Sequence, residues 1–167
     1  MQPEVRFRRD DAASPRPLSE LLACPPDTGS LLSTSMQSVP FQAGQVVFAE
    51  GSSCRGLYVV MAGQLARRSH RTERLVTLGT ARPGDLVELA AALGERRHTY
   101  SLVGQLPGSL LLLPIAALDK AFHTFPPMRM HLLEELAREV SRGYHTWVVT
   151  FTTQKRRLPA KPASSPR

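Results

Sequence analysis

Between Val39 and Pro114 the chain alternates short apolar runs with glycine or proline: VPFQ, QVVFAE, GLYVVMA, GQLARRSH, ERLVTL, DLVEL, TYSLVG and LLLL follow one another at near-regular spacing. Runs of this length, bounded by turn residues, predict an antiparallel sandwich or barrel. The polar stretch from Arg67 to Arg71 reads as a hairpin crossing between two of them. After Pro114 the period changes. IAALDKAF is helical, Pro126 and Pro127 make a break, and Leu133, Leu136, Val140, Tyr144, Trp147 and Phe151 then recur three or four apart, an apolar stripe on one long helix. Gly143 and the β-branched run after it lower helix propensity, so a bend or an end is expected there. Upstream, LSELLAC and TGSLLSTSMQ read as short helices separated by a double proline. The expected fold is mainly β with flanking helices: an antiparallel, jelly-roll-like β-roll, then a hinge helix and a long C-terminal helix. Residues 1–17 read as a disordered tail, 18–151 as one domain, and 152–167 as a basic tail rich in proline and serine.

Composition refines this picture. The chain has 167 residues, 42% of them hydrophobic, enough for a core without metal or disulfide staples. Its longest apolar run, LLLLPIAAL, falls short of the roughly 20 residues that cross a bilayer. The N-terminus lacks the apolar segment of a secretory signal, so a cytoplasmic protein is expected. Cys24 and Cys54 are the only cysteines and are expected as free thiols. Of the net charge of +7, five positives lie beyond Thr153, leaving about +2 elsewhere. That basic tail is either a solvated terminus or a weak, sequence-independent anchor for nucleic acid or anionic lipid.

The glycines at 44, 51 and 63 enclose two of the apolar runs. Glycine accepts positive φ without a Cβ penalty, which suits corners where a strand re-enters a curved sheet. Gly44, six residues, Gly51, eleven residues, Gly63, with apolar Leu57 to Val60 before the last, is a spacing that resembles the cyclic-nucleotide-binding domain family. That family includes the bacterial catabolite activator, the regulatory subunits of cyclic-nucleotide-dependent kinases and gated channels. The likeness extends over about residues 18–148, although Phe48 and Ser52 depart from the commonest choices. It implies a β-roll, a hinge, and a C-terminal helix that closes over a ligand or pairs in a dimer.

The chemistry is expected in GDLVELAAALGERRHTYSLV, residues 84–103. Read from the residues alone, DLVELAAAL is a strand end entering a short alanine-rich helix whose free N–H groups can face an anion, and Arg96 and Arg97 precede the next strand. A carboxylate and a guanidinium there can grip a ribose phosphate. The other reading of Glu88 and Arg97 is a buried salt bridge. The stretch is similar to the family's phosphate-binding cassette at Leu86, Glu88, Leu89, Ala90 and Arg97. That resemblance assigns Glu88 to the ribose 2′-hydroxyl and Arg97 to the cyclic phosphate, with Arg96 as alternate. The chain departs from the pattern at Val87, in place of glycine, at His98, in place of a small hydroxyl residue, and at Thr99, in place of alanine. His98 either points outward or joins the phosphate site and makes binding pH-dependent. Tyr144 lies on the helix that caps the base in this family. A stacking contact or core packing are its two readings.

No enzyme constellation emerges: the five histidines are scattered, without HExxH or a cysteine pair at zinc spacing, and no metal is expected. After Phe151 nothing has the periodicity of a DNA-recognition helix, so sequence-specific DNA binding is not expected. The resulting expectation is a non-enzymatic sensor of cAMP or cGMP that signals through its C-terminal helix. One alternative is a degenerate domain that pairs with itself or a partner through Leu133, Leu136, Val140, Tyr144 and Trp147. The other is the sensor part of a catabolite-activator-like transcription regulator.

Overall fold

A computed structural model describes residues 17–71 and 74–155, and the side chains among them except those of 71 and 144–155. Two short helices open the domain, α1 (Leu18–Leu21) and α2 (Pro26–Ser35). Pro26 starts α2 at a position where the missing N–H costs nothing. The strands are β1 (Gln37–Phe41), β2 (Val46–Phe48), β3 (Gly56–Arg71), β4 (Arg74–Ala81), β5 (Leu86–Val87) and β6 (Ser101–Pro114), with α3 (Leu89–Leu93) inserted before β6. Helices α4 (Ile115–Thr124) and α5 (Pro126–Lys155) follow. All strand pairs are antiparallel, in the order β1-β6-β3-β4, with β2 on β6 and β5 on β3. The architecture is the mainly β roll with flanking helices that the sequence pattern predicts.

Four expectations about breaks are corrected. Gly63 does not close a strand: β3 continues through it, with the register slipping on either side. Its φ of +84° is left-handed, and a Cβ there would sit 2.6 Å from the Pro107 carbonyl oxygen, so glycine lets two backbones cross closely at a bulge. Arg67 to His70 are likewise strand rather than crossing, and their antiparallel pairing with β4 runs on to Arg71 and Arg74. TYSLVG and LLLL likewise belong largely to one strand, β6, which runs through Pro107 and Gly108. Helix α5 does not end at Gly143 but continues to Lys155. The tails, 1–16 and 156–167, lie outside the described residues.

Alternation along β3 and β6 divides the core in two. Leu57, Val59 and Leu113 face the helices, where Leu22, Leu32, Leu118, Met128 and Leu132 close a first cluster. Tyr58, Val60, Leu65, Leu102, Leu110 and Leu112 face the inside of the roll with Phe41, Phe48, Val87 and Tyr100. The cassette lies between these clusters: Val87 belongs to the inner one, Leu89 and Ala92 to the helical one. Both cysteines are buried free thiols. No helix among the described residues is long and apolar enough to cross a membrane.

Candidate functional site

Three separate segments converge on Glu88. The residue precedes α3 in a left-handed conformation, φ +71°, which turns the chain from β5 into the helix and drives the side chain inward. Such a backbone is unfavourable for a residue with a Cβ and persists where its surroundings hold it. Here they do. Glu88 is 2% exposed, and its carboxylate accepts from His98 Nδ1 (2.7 Å), the Thr99 N–H (3.2 Å) and the Thr99 hydroxyl (2.9 Å). Its own N–H donates to the Tyr100 hydroxyl (3.2 Å). A buried carboxylate is tolerable because several donors replace its water.

His98 points inward and is 3% exposed. Its ring lies on Phe48, centroids 3.7 Å apart and planes within 6°, with Tyr58 and Tyr100 tilted around the pair. Burial pushes the Tyr58 hydroxyl up and the Tyr100 hydroxyl well above the ordinary phenol range. Val87, fully buried, adds its branched side chain to the same interior.

Arg97 takes a different course. Its backbone forms an isolated antiparallel bridge with Ser53, and its guanidinium donates to the Gly51 carbonyl (3.0 Å) at the exposed rim. Arg97 therefore does not pair with Glu88, so the reading of these two residues as a buried salt bridge is corrected: the carboxylate's partner is the His98 imidazole instead. Arg96, in a left-handed conformation, reaches Asp119 of α4 at 3.0 Å and ties the end of the cassette to the hinge. Leu86 and Ala90 are half-buried, Leu86 packing with the buried Leu89 on the helical side. The Tyr144 side chain, like those of Trp147 and Phe151, lies outside the described residues.

Two residues of this region escape a reading of the sequence. Arg67, read above as part of a crossing, lies in β3 with its guanidinium carbon 5.8 Å from the centroid of the Tyr100 ring. It also donates to the Leu86 carbonyl (3.5 Å) and pairs with Glu139 of α5 (3.5 Å), joining the roll to the C-terminal helix. Cys54 is the second. Backbone hydrogen bonds from Gly51 to His98, His98 to Ser52 and Cys54 to Arg96 (2.8–2.9 Å) zip the loop before β3 onto the end of the cassette. They bring the Cys54 sulfur to the Glu88–His98 pair, the three ligand atoms lying within 4.8 Å of one another. Burial pushes this thiol up, and it donates to the Gly56 carbonyl (3.2 Å).

Two surface cavities lie elsewhere. One, about 150 Å³, is bordered by Arg96, Asp119, His123 and Arg129. The other, about 110 Å³, separates α2 from α4. Neither is lined by Glu88 or Arg97.

Comparison with known proteins supplies the wider frame. No curated protein sequence matches the chain. Among solved structures, the catabolite activator protein of Thermus thermophilus superposes with a TM-score of 0.65 and 23% identity, over 81% of this chain and 63% of that one. The regulatory domain of Toxoplasma gondii PKA with cAMP gives 0.60 and 18%, over 64% of this chain and 42% of that one. A cyclic nucleotide-binding domain from Methylobacillus flagellatus gives 0.70 and 13%, over 87% and 85%. This chain thus spans less than two thirds of the length of the first two. At these identities the likeness is one of fold. The sequence profile of the cyclic nucleotide-binding domain matches residues 38–125, from β1 to the end of the hinge helix, more than half of the chain. Profile and fold thus agree over the same strands and the same cassette, and the chain belongs to the cyclic nucleotide-binding domain family.

Proposed function

We propose that the domain is a non-enzymatic sensor of a cyclic nucleotide, cAMP or cGMP, whose cassette rests latched by His98 and reports through α5. The observation that carries this reading is the buried Glu88 carboxylate, held at the mouth of α3 with its two oxygens aimed at the end of the cassette. A ribose hydroxyl can replace His98 as donor while the two Thr99 bonds remain. Among the described residues, the Arg97 guanidinium has one bond, to the Gly51 carbonyl, to give up before turning to a phosphate. Opening the latch requires the His98 ring to leave Phe48, next to Tyr100, and Tyr100 carries Arg67 and through it Glu139 of α5. The helix is thereby given a reason to respond, because a ligand shifts an equilibrium only by its differential affinity for the two states. Apparent affinity falls by the fraction of molecules in which the latch is open.

The domain boundaries proposed are 18–151 with tails on either side, and the wider protein's role is that of a regulator of the catabolite-activator type in the cytoplasm. A second reading is favoured by one specific observation: the carboxylate already has three donors and the interior is filled by Val87, Phe48 and His98. In that reading no nucleotide binds, and the domain pairs with itself or a partner through α5.

Isothermal titration with cAMP, cGMP and a cyclic dinucleotide, in the presence of a chelator, separates the two. The sensor reading predicts saturable binding that Arg97→Ala abolishes and His98→Ser strengthens. Absence of binding in both the wild type and His98→Ser up to millimolar ligand overturns it in favour of the closed module.

A further inference from the structure

We infer that Cys54, Glu88 and His98 form a binding site for a divalent transition-metal ion of the zinc class. This inference does not rest on nucleotide binding. All three side chains are buried, with 6%, 2% and 3% of their surface exposed, and their ligand atoms lie within 4.8 Å of one another. A thiol, a carboxylate and an imidazole are the three donor types that zinc takes, and the thiolate discriminates against magnesium and calcium.

Charge supports the assignment. Without an ion, a carboxylate is buried with neutral donors or with a protonated imidazole drawn out of water. A divalent ion with one thiolate, one carboxylate and one neutral imidazole sums to zero, which removes the cost of burying net charge. The coordination step balances as follows: the Cys54 S–H bond breaks and its proton passes to solvent, the proton that His98 Nδ1 shares with Glu88 is replaced by one on Nε2 of the neutral ring, and the freed sulfur and Nδ1 lone pairs bind the metal. The hydrogen bond to the Gly56 carbonyl is released at the same time.

Geometry requires little rearrangement. At bond lengths of roughly 2.0–2.3 Å, tetrahedral donors lie about 3.3–3.6 Å apart. The Glu88–His98 contact, now 2.7 Å, has to widen by less than about 1 Å, and the sulfur has to close in from no more than 4.8 Å. The three ligands come from the loop before β3, the residue before α3 and the residues before β6, and the backbone zipper between 51–54 and 96–98 already holds two of those segments together. Three protein ligands leave a fourth position for water, and an ion seated there would fix the latch that a nucleotide must open.

The test uses tag-free, chelator-washed protein titrated with cobalt(II) and then zinc, without nucleotide. The expected result is one ion per chain, with a thiolate-to-cobalt charge-transfer band that zinc abolishes. Cys54→Ser removes the band and weakens affinity by more than about 100-fold, beyond the loss of an outer-shell partner. Cys24→Ser leaves both unchanged. A wild type without the band at saturating cobalt, or a band that survives Cys54→Ser, overturns the inference. If Cys54→Ser fails to fold, X-ray absorption of the zinc-loaded wild type decides: one sulfur neighbour supports the site and a shell of nitrogen and oxygen alone refutes it. The nucleotide titration above runs in chelator, so either proposal can fail without the other.

Discussion

The inside of the roll at Glu88 and the outer face of α5 are opposite solutions to the same problem of placing side chains. At Glu88 a formally charged residue is withdrawn from solvent, and its carboxylate and N–H are matched to donors and an acceptor on the segment before β6, from His98 to Tyr100. On α5 apolar side chains face outward: Met130 and Val140 are 60% and 63% exposed. The first region is costly to disturb because a buried polar group left without its partner loses its compensation. The second costs almost nothing to the isolated domain, so its sequence answers to something other than the stability of this fold. The polar cluster that suggests a ligand thus lies in the tightly closed region and not among the exposed apolar side chains of α5.

The sharpest way to break the contrast is Glu88→Ala. It leaves the buried His98 ring nitrogen without its acceptor, and takes the acceptor from the Thr99 N–H and hydroxyl at the edge of the site, where Thr99 itself is exposed. Removing one member of a buried charged pair typically costs about 3–5 kcal/mol. Urea unfolding should show a loss in this range for Glu88→Ala. A loss below about 1 kcal/mol, the size of an ordinary surface change, would mean that water enters the cassette and that the latch is not closed.

The sequence made the outline of this architecture legible and left the latch hidden, for identifiable reasons. Period-two runs and the switch to helical spacing after Pro114 are local signals, and the strands and α4–α5 follow them. The strand breaks at Gly63 and near Gly108 were misplaced because glycine was read as a turn, whereas here it allows β3 and β6 to pass at backbone contact. In the cassette, the position of Glu88 before a short helix was readable from DLVELAAAL. That His98 rather than Arg97 meets it was not. The difference depends on the Ser53–Arg97 bridge, which fixes which of two consecutive side chains points inward, and a pairing between distant loops leaves no local pattern. Cys54 and Arg67 are invisible for the same reason.

A finer comparison lies within α5 itself. Leu136 and Val140 read as one apolar stripe, yet Leu136 is half-buried and packs against the helical core cluster, while Val140 projects into solvent. Leu136→Ala should therefore destabilise the domain by about 1–2 kcal/mol, somewhat less than a fully buried leucine would. Val140→Ser should stay within about 0.5 kcal/mol. Sedimentation of the same variants reads the other property: if α5 is a pairing surface, Val140→Ser lowers self-association without lowering stability. Parallel losses of both for Val140→Ser would show that the face belongs to the core after all.

The smallest effect expected distinguishes the closed interior by its response to alkali. Burial raises the pKa values of Cys54, Tyr58 and Tyr100, all of which border the latch. Between the unfolded and folded values of each group the folded chain binds more protons than the unfolded one, so stability falls as pH rises, by up to about 1.4 kcal/mol per pH unit for each group titrating. Below the ordinary thiol and phenol range, at about pH 8, none of this loss is present. Metal-free protein should accordingly unfold at lower urea at pH 10.5 than at pH 8. Tyr100→Phe, which removes one of these protons together with the acceptor for the Glu88 N–H, should be less stable at pH 8 but lose less on going to pH 10.5. The slope is the informative quantity, because a lost hydrogen bond lowers both values equally while a lost titration changes only their difference. Equal slopes for the two proteins would mean that the Tyr100 hydroxyl ionises as it does in water, and that the interior around Glu88 is open.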